Sequence, residues 1–239
     1  MWYNSGMGQR KIQFAVDEFY HLYNRGNDKR LIFLSPDDYQ RFVCSIYAAN
    51  ALESICLSDL GKWSTNVWNI KSGDTLVDIG AYCLMPNHFH LLVKEKMEGG
   101  ITTFTRKLFT SYSSYFNLKH KRTGKLFEGS FKVTHADDDQ YLRYLFAYIH
   151  LNPVKIPNPD EWPGKFIKDP EGARNFLQKF VYSSYHDYLG LPRKESAVLN
   201  REAFPEYFQD SREFEDFIQD WMDYSDTLEK LGGNSSQER

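Results

Sequence analysis

The chain has 239 residues, enough for one large domain or one domain with appendages, and 16% of them are aromatic. A mean hydropathy of −0.58 suits a globular chain with a sizeable core, and no apolar run reaches the length of a membrane span. The formal charge of −3 argues mildly against a nucleic-acid enzyme, but residues 1–150 carry +3 (18 Lys and Arg, 15 Asp and Glu) and the remainder −6.

In chain order, Phe14 to Asn24 reads as a strand, with Gly26 and Asn27 turning the chain. Ser35-Pro36-Asp37-Asp38 opens a helix by placing a cap residue before proline. Apolar Tyr39, Phe42, Val43, Ile46 and Tyr47 carry that helix to about Glu53. Residues 57–76 are polar, contain Trp63 and Trp68, and lack a period, as an extended loop or hairpin insertion does. Leu76 to Met85 and His88 to Glu95 are two strands joined at the turn pair Pro86-Asn87. Ile101 to His120 is a second helix, Leu126 to His135 a strand, and Gln140 to Leu151 a third helix. Asp137 to Asp139 can cap that last helix, and Pro153 is expected to end it.

The β-α-β-β-α-β order predicts an α+β fold, a ferredoxin-like split βαβ arrangement with an antiparallel sheet, helices on one face and one further helix. Residues 156–179 read as a second insertion, rich in proline and charge. From 191 onward the chain is acidic and reads as helical, with Phe214, Phe217, Ile218, Trp221 and Met222 at helical spacing. The expected organisation is a domain over 1–190 and an extension over 191–239 that packs on the core or mediates self-association as a homodimer. Gly232 to Arg239 is expected to be disordered. Cys44, Cys56 and Cys83 have no paired spacing and the N-terminus has no basic-then-apolar leader, so a reducing cytoplasmic setting is expected, with no membrane partner.

Two segments carry chemistry. In Cys83-Leu84-Met85-Pro86-Asn87-His88-Phe89-His90-Leu91-Leu92-Val93, strand alternation puts His88 and His90 on one face and Phe89 on the other. Two imidazoles so placed are half of a divalent-cation site, although a lone His-x-His is more often a satisfied core pair. Sixty residues on, Tyr148 and Asn152 stand four apart on one helix face, with Tyr141 and Tyr144 close to it. By itself such an aromatic stripe reads as core. Between residues 106 and 132, Arg106, Lys107, Lys119, Lys121, Arg122, Lys125 and Lys132 face one acid, Glu128, a local positive surface able to hold phosphates.

Taken together these segments resemble the single-tyrosine HUH transposases and their relatives, the REP-associated tyrosine transposases. The resemblance rests on Ala81 to Val93, Gly124 to Lys132, Tyr148 to Lys155, Tyr20 to Asn27 and the closing Tyr182-Ser183-Ser184-Tyr185-His186-Asp187-Tyr188-Leu189-Gly190, in family order over residues 14–190. It implies a DNA strand transferase acting on single-stranded or hairpin DNA, nucleoid-associated when bound. In that reading Tyr148 is the nucleophile, forming a 5′-phosphotyrosine link. His88, His90 and Asn152 hold Mg²⁺ or Mn²⁺, and Arg25 joins the seven basic residues in binding DNA. Ser130 and Glu128 depart from the family's usual Arg and Gln, which predicts weaker or altered DNA binding. The alternatives are an idle DNA-binding descendant and an unrelated His-x-His metal hydrolase. No further ligand cluster supports the latter.

Overall fold

In the computed structural model the described residues are 13–61, 66–159 and 167–223. Four strands form one antiparallel sheet: β1 (Phe19–Arg25), β2 (Val77–Met85), β3 (His88–Glu95) and β4 (Lys132–His135), in the order β2-β3-β1-β4. That order, reached through α1 (Pro36–Asn50) between β1 and β2 and α2 (Gly100–Lys119) between β3 and β4, is the expected ferredoxin-like arrangement.

Alternation divides the sheet into two chemically different faces. Tyr20 and Leu22 of β1 and Phe89, Leu91 and Val93 of β3 pack against α1 and α2 in one core. Ala81, Cys83 and Met85 of β2 and Leu92 of β3 belong to a second core with α3 (Asp139–Leu151), α4 (Pro170–Leu177), α5 (Tyr185–Tyr188) and α6 (Ser211–Asp223). Helices therefore cover both faces, not the single face expected, because α3 and the chain after it carry enough apolar surface to bury the other side. Ile79 pairs with Val93 but Ala81 pairs with Leu92, so Gly80 is an extra residue in β2 that swaps its alternation between the cores. A side chain at Gly80 would strike the Phe204 ring, which lies 2.8 Å from where its Cβ would be.

Several boundaries differ from expectation for local reasons. Asp17 sits at φ 68°, so β1 begins at Phe19 and not at Phe14. Helix α1 stops at Asn50, whose amide donates to the Val77 carbonyl and accepts from the Val77 N–H, both at 3.0 Å. In the 57–76 insertion, residues 66–69 make a 3-10 turn; Trp63 lies outside the described residues, as does the tail from Gly232. Gly129 at φ 66° interrupts the last strand, leaving β4 only Lys132–His135. Asp138 caps α3, accepting from the Tyr141 N–H at 2.7 Å as the aspartate cluster predicted. Pro153 does not end the helical course. Asn152 keeps helical geometry (φ −54°, ψ −36°) and Asn152–Lys155 continues as a 3-10 turn whose Asn152, Pro153 and Val154 are buried. Proline at the second position of that turn still lies in a first turn, where its missing N–H has no helical acceptor to lose. The segment after α4 lies along the outer edge of β2, where Leu84 N–H donates to Tyr182 (2.9 Å) and Ser184 N–H to Tyr82 (2.9 Å). From Lys194 to Ala203 the extension makes short 3-10 turns, and it becomes α-helical only at α6.

Candidate active site

The site lies where the second core meets β1 and β3. His88 and His90 project from one face of β3 with ring centres 5.0 Å apart, while Phe89 is buried on the opposite side. Tyr148 of α3 meets His90 edge-on, ring centres 5.4 Å apart, and is 4% exposed. Asn152, one turn further, is fully buried, and both its amide oxygen and its amide nitrogen lack a hydrogen-bond partner among the described residues. Its side chain lies beside His88. All four residues singled out from the sequence are thus brought together.

Each imidazole has one nitrogen engaged. His88 Nδ1 lies 2.6 Å from Asn87 Oδ1, an oxygen that can only accept, so the proton is on Nδ1 and the Nε2 lone pair is left over. His90 Nδ1 lies 2.9 Å from His21 Nε2, and His90 Nε2 is buried with no partner among the described residues. Burial, with Lys155 nearby, lowers His88 to about 4 and His21 to about 3; burial also pushes His90 well below its ordinary value, with His88 and His21 adding to it. The three rings are therefore neutral near pH 7, the form that ligates metals. Among the described residues no three His, Cys, Asp or Glu side chains group into a metal site, and the buried Asn152 amide is the group that the family resemblance offers as a third protein donor. Two neutral imidazoles and an orphaned amide oxygen are a donor set that fits a divalent cation.

Sequence reasoning missed two members of this site. His21 touches His90 and also meets the Tyr148 ring edge-on at 5.7 Å. Lys155 places its ammonium 5.4 Å from the centre of the Tyr148 ring. His21 alternates in β1 with Tyr23 and Arg25 on one face, a signal the sequence carried. Lys155 reaches the site only because the chain stays helical through Pro153.

The basic residues divide. Arg25 is paired with His88 across β1 and β3, and Lys132 with Tyr23 across β1 and β4, so both share the face of the site. Lys132 holds its ammonium 5.9 Å from the Tyr23 ring centre, and Arg25 forms an ion pair with Glu128. Helix α2 lies on the other face of the sheet, taking Arg106, Lys107 and Lys119 with it. Lys107 donates to the Ala51 carbonyl, and Lys119 is held by Asp38 (2.9 Å), Ser35 (2.9 Å) and the Tyr115 hydroxyl (3.1 Å). Arg122 donates to Asn117 at 2.6 Å, while Lys121 and Lys125 are exposed in the turn after α2. His150, between Tyr148 and Asn152 in sequence, takes no part: Nδ1 donates to the Phe146 carbonyl (2.8 Å), and Nε2 accepts from Ser184 Oγ (2.7 Å).

Residues 39–152 match the family model described as "Transposase IS200 like", a segment that runs from α1 to Asn152 and contains His88, His90 and Tyr148. The match bears out the resemblance drawn from the sequence and implies a transposase or nuclease activity. Among solved structures, a REP-associated tyrosine transposase bound to a REP hairpin is similar to this chain at 13% identity and a TM-score of 0.47, covering 79% of this chain and 90% of that one. No curated protein matches. No helix among the described residues is long and apolar enough to cross a membrane.

Proposed function

We propose that this protein cleaves and rejoins single-stranded or hairpin DNA through a covalent 5′-phosphotyrosine intermediate on Tyr148. The observation that carries this is the convergence of Tyr148, His88, His90 and the unpartnered Asn152 amide at one buried point. The hairpin form of the substrate rests on the family resemblance of the sequence. His88, His90 and Asn152 would hold a divalent cation, Mg²⁺ or Mn²⁺, which would supply Lewis-acid polarisation of the scissile phosphate and neutralise charge growing on it.

The chain's own residues do the rest. Tyr148 Oη attacks phosphorus, a P–O bond forms to the tyrosine, and the bond to O3′ breaks to leave a free 3′-hydroxyl. Attack by an acceptor 3′-hydroxyl reverses the exchange and returns the tyrosine, so the bond energy is kept and no nucleotide is consumed. Lys155, its ammonium 5.4 Å from the centre of the Tyr148 ring, can offset negative charge that develops around the reacting phosphate. His88, only half-buried, marks the side from which a phosphate can enter, and Arg25 and Lys132 on the same face can hold flanking phosphates.

The test is a denaturing gel that traps a protein–DNA adduct on labelled single-stranded DNA with Mg²⁺ or Mn²⁺. The wild type is expected to form it. Tyr148→Phe, which keeps the ring, should form none while its thermal unfolding stays near wild type, and excess chelator should suppress the wild-type adduct. An adduct from Tyr148→Phe sinks the assignment of the nucleophile. A wild type that binds DNA but never forms an adduct makes the protein an idle DNA-binding descendant.

A further inference from the structure

The family reading of the sequence gives His21 no role at the site, yet it is 2% exposed and set 2.9 Å from a ring nitrogen of His90. Two neutral imidazoles joined through His90 Nδ1 and His21 Nε2 share one proton, and which ring owns it decides what His90 can do. If His21 Nε2 donates, the His90 proton must sit on Nε2. There it would be a buried donor with no partner among the described residues, and no lone pair would be left for a ligand to satisfy. If His90 Nδ1 donates, His90 Nε2 keeps its lone pair, and a cation bound there would satisfy the atom that has no partner among the described residues. Asn87 does the same for His88, its amide oxygen taking the Nδ1 proton and its own amide nitrogen anchored on the Lys29 carbonyl at 3.3 Å.

We infer that His21 is a positioning residue which accepts the Nδ1 proton of His90, fixing the tautomer and ring orientation that turn His90 Nε2 into a metal ligand. This rests on the proposed metal role of His90. The two rings lie nearly parallel, 20° between planes with centres 5.1 Å apart, so the hydrogen bond also holds the His90 ring against rotation. Such partners of metal-bound histidines commonly change affinity by about 10- to 100-fold.

The test compares wild type, His21→Phe and His21→Gln. Phenylalanine keeps a flat ring but removes the acceptor; the glutamine amide oxygen can stand where His21 Nε2 stands. Long-range ¹H–¹⁵N spectra of the metal-free proteins read the His90 tautomer directly. The wild type and His21→Gln should show the proton on Nδ1, and His21→Phe a loss of that form. Calorimetric titration with Mn²⁺ should show about a 10- to 100-fold weaker site in His21→Phe and within a few-fold of wild type in His21→Gln. An unchanged tautomer and an unchanged Mn²⁺ affinity in His21→Phe overturn the inference. A wild type that binds no Mn²⁺, while the His90 tautomer still follows residue 21, overturns the metal reading of the site and leaves the positioning contact standing. If His21→Phe does not fold, His21→Gln decides: an Nε2-protonated His90 in that variant, or in the wild type, overturns the inference.

Discussion

Arg25 stands directly across the sheet from His88, and its guanidinium is taken by Glu128, the residue found where the resembled family usually has Gln. Glu128 is 43% and Arg25 28% exposed, so the pair adds little to stability. Its consequence is electrostatic, since a cation beside the candidate metal ligands is neutralised. Glu128→Gln should therefore tighten binding to single-stranded DNA and steepen its salt dependence by roughly 0.7 log units per log unit of salt, one added phosphate contact. Fluorescence anisotropy across a salt series measures this; an unchanged slope would mean that Arg25 does not reach the DNA. Lys155→Met should slow adduct formation at saturating DNA and metal more than it weakens binding, because the charge lies by the Tyr148 ring. A quench-flow time course with an unchanged rate would count against that role. Residue-level chemistry was readable where it depended on local period alone: alternation put His88 and His90 together, and helical spacing put Tyr148 over Asn152. His21 was not readable as a partner, because its contact depends on the register of β1 against β3, which no local pattern states.

Among the elements, α2 is the instructive case. Its period and length were legible, and so was its basic character, but not which face of the sheet it covers. Phe104, Leu108 and Tyr112 seat it with α1 in the first core, and its C-terminal end is tied to the start of α1 through fully buried Asp38. One Asp38 oxygen accepts from the Leu34 and Ser35 N–H groups (2.8 and 3.0 Å) and the other from Lys119 and the Tyr115 hydroxyl (2.9 and 3.1 Å). Burial raises the Asp38 pKa, but Lys119, the Leu34 N–H and His120 together hold it below the ordinary value. Since the folded value is the lower one, this stabilisation is present above the unfolded carboxylate value and is lost as pH falls from there through the folded one. Asp38→Ala leaves Lys119 only the exposed Asp37 carboxylate (3.3 Å) as an anionic partner and two N–H groups without an acceptor, and should cost about 3 kcal/mol in urea unfolding at pH 7. Lys119→Met should shift the unfolding midpoint more clearly than it shifts DNA affinity. The opposite result would place Lys119 among the residues that contact DNA.

At the scale of the molecule, the sheet separates a purely structural face from a chemical one, and the chemical face is closed by residues far along the chain. Trp221 of α6 packs on Tyr144 (ring centres 5.5 Å apart), Tyr144 packs on Tyr148 (5.7 Å), and Phe214 packs against His150 (5.2 Å). The apolar spacing of α6 was visible in the sequence. Its docking partner was not, because α3 looked complete without it. This closure leaves His21, His90 and His150 deep in the fold and His88 half-buried, and burial lowers His21 and His150 to about 3, His88 to about 4, and His90 well below its ordinary value. An unfolded chain takes up these protons near pH 6.5, so between that value and the folded ones it binds more protons than the native protein. Stability is then full above about pH 7 and falls as pH drops, by as much as about 1.4 kcal/mol per pH unit for each histidine involved. Urea unfolding of the metal-free protein at pH 8, 6.5 and 5.5 should show the midpoint dropping steeply over the lower interval, well above the range in which Asp38 titrates. A His21→Gln/His150→Gln double variant should lose part of that slope, because two of the groups that must remain uncharged inside the fold are gone. A midpoint that stays flat from pH 8 to 5.5 would mean that these histidines take up protons in the folded state without cost, and that the chemical face is open to water.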